Sequence, residues 1–145
     1  MSRLLALDLG ERRIGVAVSD ASGMIASPLE VIRRRSKAED YARIAELCLA
    51  QQAEVLVVGH PLNADDSVGP KARRTERYVA GLSEALLASG VQISLRLWDE
   101  HGSTQRAQEA LLAAGRRARV RRERIDSVAA AVILQDYLDA YRGVL

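Results

Sequence analysis

The chain has 145 residues, 48% hydrophobic and 28% charged, with 10 Gly, 3 Pro and 1 Cys. That is the size of one domain, 1–145, with enough apolar content for its own core, and the lone Cys48 excludes an internal disulfide framework and a four-cysteine zinc site. No apolar run reaches the roughly 18 residues of a membrane span, and Arg3 and Asp8 break what would be a signal peptide, so a cytoplasmic protein without membrane contact is expected. The formal net charge is +2, yet 19 of the 21 basic residues are Arg, and six of these fall between Arg116 and Arg124 with only Glu123 opposing. Arginine concentrated in this way favours phosphate, and so nucleic acid or another polyphosphate as partner.

Leu4–Leu9 reads as a buried strand ending in Asp8-Leu9-Gly10, and Ile14–Val18 as a second strand joined to it by a short hairpin. Ile25–Ile32 is a third strand, placed at a sheet edge by Pro28. Ser36–Gln52 then has helical apolar spacing, opened by a capping box of Ser36 and Glu39. Val55–Val58 is an apolar strand, Ala72–Ala88 a helix stopped near Gly90, and Val91–Trp98 a strand. Thr104–Ala114 is a third helix and Asp126–Tyr141 a fourth, with Arg116–Arg124 as a basic loop between them. The order β-β-β-α-β-α-β-α-α predicts an α/β protein: a meander continued by parallel strands, giving one five-stranded mixed sheet flanked by helices.

Ligands of open α/β sheets bind beyond the carboxyl ends of strands. Asp8 lies at such an end, inside an otherwise apolar run, where an acid is costly unless paired or bound to a cation. Glu100 follows the last strand beside Asp99, and Asp126 opens the last helix, where its alternative role is an N-cap. Three such oxygen ligands at one edge suit Mg²⁺ or Mn²⁺ and metal-dependent phosphodiester chemistry, with arginines to hold the backbone. Arg12, Arg13, Lys71, Arg116, Arg117, Arg119, Arg121 and Arg122 are the candidate nucleic-acid contacts. His60 is expected to pack in its loop against Pro61, and Cys48 to be inert core. With one Trp, four Tyr and no Phe, base stacking is a weak mode of binding, and backbone contact fits better.

Four segments in order carry a resemblance: Leu5–Ala17 with Asp8-Leu9-Gly10; Val57–Asn63 continuing through Ser67–Ala72; Trp98–Thr104; and Ile125–Ala131 followed by Ile133–Leu138. Over nearly the whole chain this resembles the YqgF-type family of Holliday-junction-resolvase-like proteins, also described as pre-16S rRNA nucleases. The resemblance implies a ribonuclease H-like fold, a divalent-metal nuclease, and a role in maturing the 5′ end of 16S rRNA, with ribosomal particles among the partners. It places Asp8, Glu100 and Asp126 on the three acidic motif positions. Three departures stand out. His101 and Gly102 replace the Arg and Leu usual after the second acid, and Asp66 stands where a Gly is common. The two further readings are a resolvase of four-way DNA acting as a homodimer, and a non-catalytic nucleic-acid-binding module.

Overall fold

The computed structural model describes residues 3–100 and 118–142. The predicted helix Thr104–Ala114, His101, Gly102, Arg116 and Arg117 lie outside the described residues. Five strands, β1 (Arg3–Leu9), β2 (Arg13–Ser19), β3 (Ala26–Arg33), β4 (Ala53–His60) and β5 (Ser94–Asp99), form one sheet in the order β3-β2-β1-β4-β5. β1 pairs antiparallel with β2 and parallel with β4, β2 antiparallel with β3, and β4 parallel with β5. The expected hairpin, meander and parallel half are all present, and Pro28 sits on the edge strand β3, next to a register shift between Val16 and Ala17. An edge is where a missing N–H costs least. The turn into β3 is tied by Asp20, whose carboxylate accepts from the backbone N–H groups of Met24 and Ile25 at 2.8 and 3.0 Å.

The described helices are α1 (Lys37–Ala50), α2 (Pro70–Ala88) and α3 (Ala118–Arg142). Ser36 caps α1 as expected, its hydroxyl accepting from the Glu39 N–H at 3.1 Å. α2 ends at Gly90, which takes a left-handed φ of 77°, and Val91 N–H turns back to the Leu86 carbonyl at 2.9 Å. Val91 is therefore buried packing after a helix stop, and β5 begins three residues later than predicted. α3 corrects the sequence reading more substantially. It starts at Ala118, so Arg119, Arg121 and Arg122 belong to a helix and not to a loop, and Asp126 lies well inside the helix and caps nothing. Arginine is a good helix former, and the apolar periodicity marks only the part of the helix that packs on the sheet.

Strand alternation gives the sheet two unlike faces. Leu5, Leu7, Ile14, Val16, Leu56 and Val58 pack under α1 and α2, with Ile44, Leu47, Tyr78, Leu82 and Leu86. On the other face Ala6, Ala17 and Val57 are fully buried, with Leu4, Val55 and Trp98 partly buried around them, against Ala130, Ile133, Leu134, Tyr137 and Leu138 of α3. Gln135 ties this helix to the β3 end, accepting from the Ala26 N–H at 2.9 Å. Among the described residues no helix is long and apolar enough to cross a membrane.

α3 approaches the sheet closely at Gly15. A Cβ there would lie 1.8 Å from the backbone oxygen of Asp126 and 2.8 Å from the Ser127 nitrogen. Backbone cannot swing aside as a side chain can, so Gly15→Ala must lift the helix. The substitution is expected to cost about 3 kcal/mol, at the upper end of overpacking effects, read as a lower midpoint of urea unfolding. A midpoint within error of wild type would show that α3 is not seated on Gly15.

Candidate active site

Asp8 is placed by register. It is the penultimate residue of β1, on the α3 face like Ala6, and it pairs across β2 with Gly15. On the other side β1 and β4 pair through Leu7 and Val58, so the next step sets Asp8 level with Gly59. The carboxylate is thus flanked by two glycines, and the missing side chains form a hollow. Each half of the hollow is filled by a group from another acidic position. A Cβ on Gly15 would strike the Asp126 backbone, and a Cβ on Gly59 would lie 2.1 Å from Glu100 Oε2.

Glu100 follows β5, where Asp99 pairs with His60, and its N–H donates to the His60 carbonyl at 3.3 Å. Its side chain folds back over Gly59 to Asp8. Burial raises the pKa of both carboxyls. Glu100 is pushed up to about 8, first by burial, then by the charge of Asp8 and by its hydrogen bond to Asp8. That hydrogen bond has the opposite effect on Asp8. Asp126 raises Asp8 further by charge, and Lys71, near the start of α2, lowers both members of the pair.

Asp126 contributes a carboxylate as well as the backbone at Gly15. Arg13 Nε lies 2.8 Å from Asp126 Oδ2, with the Arg13 side chain half exposed. The approach lacks hydrogen-bond alignment, because Oδ2 is buried without a hydrogen-bond partner, as is Glu100 Oε2. The contact is therefore Coulombic. Two orphaned buried carboxylate oxygens, one of them on a member of the Asp8–Glu100 pair, are costly in a folded protein, and both are hard donors suited to a divalent cation. As the side chains stand, no three His, Cys, Asp or Glu groups among the described residues converge on one point.

Of the predicted site residues, the structure brings Asp8 and Glu100 into contact, sets Asp126 and Lys71 near enough to act on Asp8 by charge, and places Arg13 beside Asp126. Arg12 is exposed in the β1–β2 turn, with its carbonyl accepting from Arg34 N–H at 2.9 Å. His60 does more than pack in its loop: its Nε2 lies 2.9 Å from Glu76 Oε2 on α2. Asp66 adopts φ 67°, the left-handed conformation in which a Gly is favoured. Cys48 is buried, and burial pushes its thiol up to about 11, as expected of an inert core residue. Sequence reasoning missed the role of Gly15 and Gly59. Glycine within a strand is the signal of a close approach, and both stand inside strands.

The five-stranded mixed sheet with its flanking helices is a ribonuclease H-like fold. The Thermus thermophilus RuvC in complex with Holliday junction substrate superposes with a TM-score of 0.56 at 18% identity, over 99% of this chain and 97% of that one. The fowlpox virus Holliday junction resolvase gives 0.54 at 10% identity, over 95% and 99%. The chain belongs to the RuvX family, described as Holliday junction resolvase, whose family model matches residues 2–140. Among relatives, the "Putative pre-16S rRNA nuclease" of Syntrophomonas wolfei is 41% identical over 137 residues, covering 94% of each chain. That of Synechococcus sp. strain JA-3-3Ab is 46% identical over 138 residues, 95% of this chain and 84% of its own.

The raised Glu100 carboxyl has a stability consequence. Between the ordinary glutamate value and about 8, the folded state binds more protons than the unfolded state, so stability falls as pH rises through that window. In chelator, Glu100→Gln is therefore expected to melt a few degrees above wild type at pH near 9 and level with it near pH 4. A pH-independent difference between the two proteins would contradict the assigned burial and repulsion.

Proposed function

We propose that the chain is a divalent-metal-dependent endonuclease that hydrolyses phosphodiester bonds of structured nucleic acid, with the 5′ flank of pre-16S rRNA as its substrate. The observation that carries this is the half-buried Asp8–Glu100 pair, with Glu100 Oε2 and Asp126 Oδ2 left without hydrogen-bond partners. The names of the relatives and the family match supply the substrate class.

Asp8, Glu100 and Asp126 would hold the ion, Mg²⁺ or Mn²⁺. When bound, such an ion activates water and neutralises phosphate charge. The chain's own residues do the rest. Glu100 must give up its proton before its oxygens can ligate, which places part of the pH dependence on this residue. Arg13 is poised to trade Asp126 for a phosphate oxygen, since its guanidinium is half exposed and its present contact is not a formed hydrogen bond. Lys71 adds positive charge to the same opening. Arg119, Arg121 and Arg122, in the first turns of α3, extend the basic character of the helix that carries Asp126.

The family description favours a second substrate, four-way DNA, hydrolysed by the same residues. Both substrates enter one experiment: cleavage of labelled RNA carrying the precursor flank, and of a four-way junction, with Mn²⁺ and with chelator. Cleavage of the RNA only with Mn²⁺ is expected, reduced on the order of 10²-fold or more in Asp8→Asn. Cleavage of the junction alone would move the assignment to DNA. Binding of both without cleavage would make the chain a nucleic-acid-binding module and overturn the proposal.

A further inference from the structure

Five basic side chains gather around one concavity beside the acid cluster. A cavity of about 400 Å³ opens between the β1–β2 turn, the start of α1 and the first turns of α2. Its lining includes Arg34, Lys37, Lys71, Arg74 and Arg77, against a single acid, Glu11. The positions on α2 follow helical spacing, since 71, 74 and 78 share one face and 77 flanks it. Like charges brought around one concavity repel, and their joint field favours a multivalent anion.

The floor of the cavity is built. Arg34 is anchored on three sides: it donates to the Gly10 carbonyl at 2.7 Å, pairs with buried Asp40 at 3.3 Å, and lies over the Tyr78 ring at 4.9 Å. Tyr78 is held in turn, its hydroxyl donating to Asp40 at 3.3 Å. A guanidinium fixed by its surroundings loses little entropy on binding an anion. Among the described residues, no salt bridge engages Lys37, Lys71, Arg74 or Arg77.

The position of the cavity indicates which anion. Leu9, Gly10 and Glu11 on its rim directly follow Asp8. Lys71 faces both ways, lining the cavity and acting by charge on Asp8 and Glu100. The acid pair opens on the α3 face of the sheet and the cavity on the α1–α2 side, so a strand crossing the carboxyl end of β1 meets both. We propose that this cavity holds a backbone phosphate of the bound nucleic acid, several bonds removed from the one hydrolysed. The inference rests on the nuclease reading for the identity of the strand, and on the cavity itself for the binding of phosphate.

Anisotropy of a labelled RNA in chelator tests the cavity without cleavage. Arg74→Gln/Arg77→Gln is expected to bind about tenfold more weakly at low salt. Its plot of log affinity against log salt should flatten by about 0.7 for each phosphate the variant no longer neutralises. If the double variant melts early, the single variants Arg74→Gln and Arg77→Gln are read in the same way. Unchanged affinity and slope would overturn the proposal. A second arm measures protection of wild type against heat by inorganic pyrophosphate. Protection by pyrophosphate, with RNA binding unaffected by the substitutions, would assign the cavity to a small free anion and overturn the strand assignment. Because these readings need no cleavage, a wild-type protein that binds through the cavity but never cuts would refute the nuclease reading alone.

Discussion

Two carboxyl groups forced together out of water are the constraint around which this molecule is organised. Asp8 and Glu100 meet in a partly buried hollow at the carboxyl end of the sheet, where burial makes both harder to ionise and the charge of Asp8 raises Glu100 further. Folding alone would not select such a pair, because like charges in a poorly hydrated place destabilise the folded state. The surrounding architecture nevertheless enforces it. Parallel pairing of β1 with β4 and of β4 with β5 brings the two acids to one edge, and Gly59 leaves the room through which Glu100 reaches back.

The two faces of the sheet divide the work. Beneath α1 and α2 lies the bulk of the large aliphatic core, which supplies much of the burial that holds the fold together. On the α3 face the buried centre is Ala6, Ala17 and Val57, and at Gly15 the helix backbone comes closer than any side chain would permit. That contact sets the depth of α3 and so the position of Asp126. Trp98 and Tyr137 close the same face edge to face, with ring centroids 5.2 Å apart, linking β5 just before the acids to the far half of α3. Asp8 is therefore carried by a strand and Asp126 by a helix, Glu100 follows directly on β5, and Arg13 is the half-exposed side chain beside Asp126.

Much of this was legible in the residues. The strands declared themselves by apolar runs, the edge by Pro28, the first helix by Ser36 and Glu39, and the end of the second by Gly90. Asp8 stood out because an acid in Leu-Leu-Ala-Leu-Asp-Leu needs a reason. The start of α3 was hidden because helical periodicity is visible only where a helix packs, and its arginine-rich opening has the composition of a loop. The partnership of His60 with Glu76, the nearness of Glu100 to Gly59 and the cavity around Arg34 are tertiary facts. Each joins residues from separate elements, and local pattern carries no information about them. The glycines came closest, since their places inside strands signalled a close approach without naming what approached.

The central claim is that the Asp8–Glu100 pair is held ready for a cation that takes the place of its proton. Calorimetric titration with Mn²⁺ at pH 7, repeated in two buffers of different ionisation enthalpy, measures that exchange directly. With Glu100 near 8, the account predicts binding accompanied by release of about one proton per ion, lost in Glu100→Gln. Binding without proton release, or release that persists in Glu100→Gln, would contradict it.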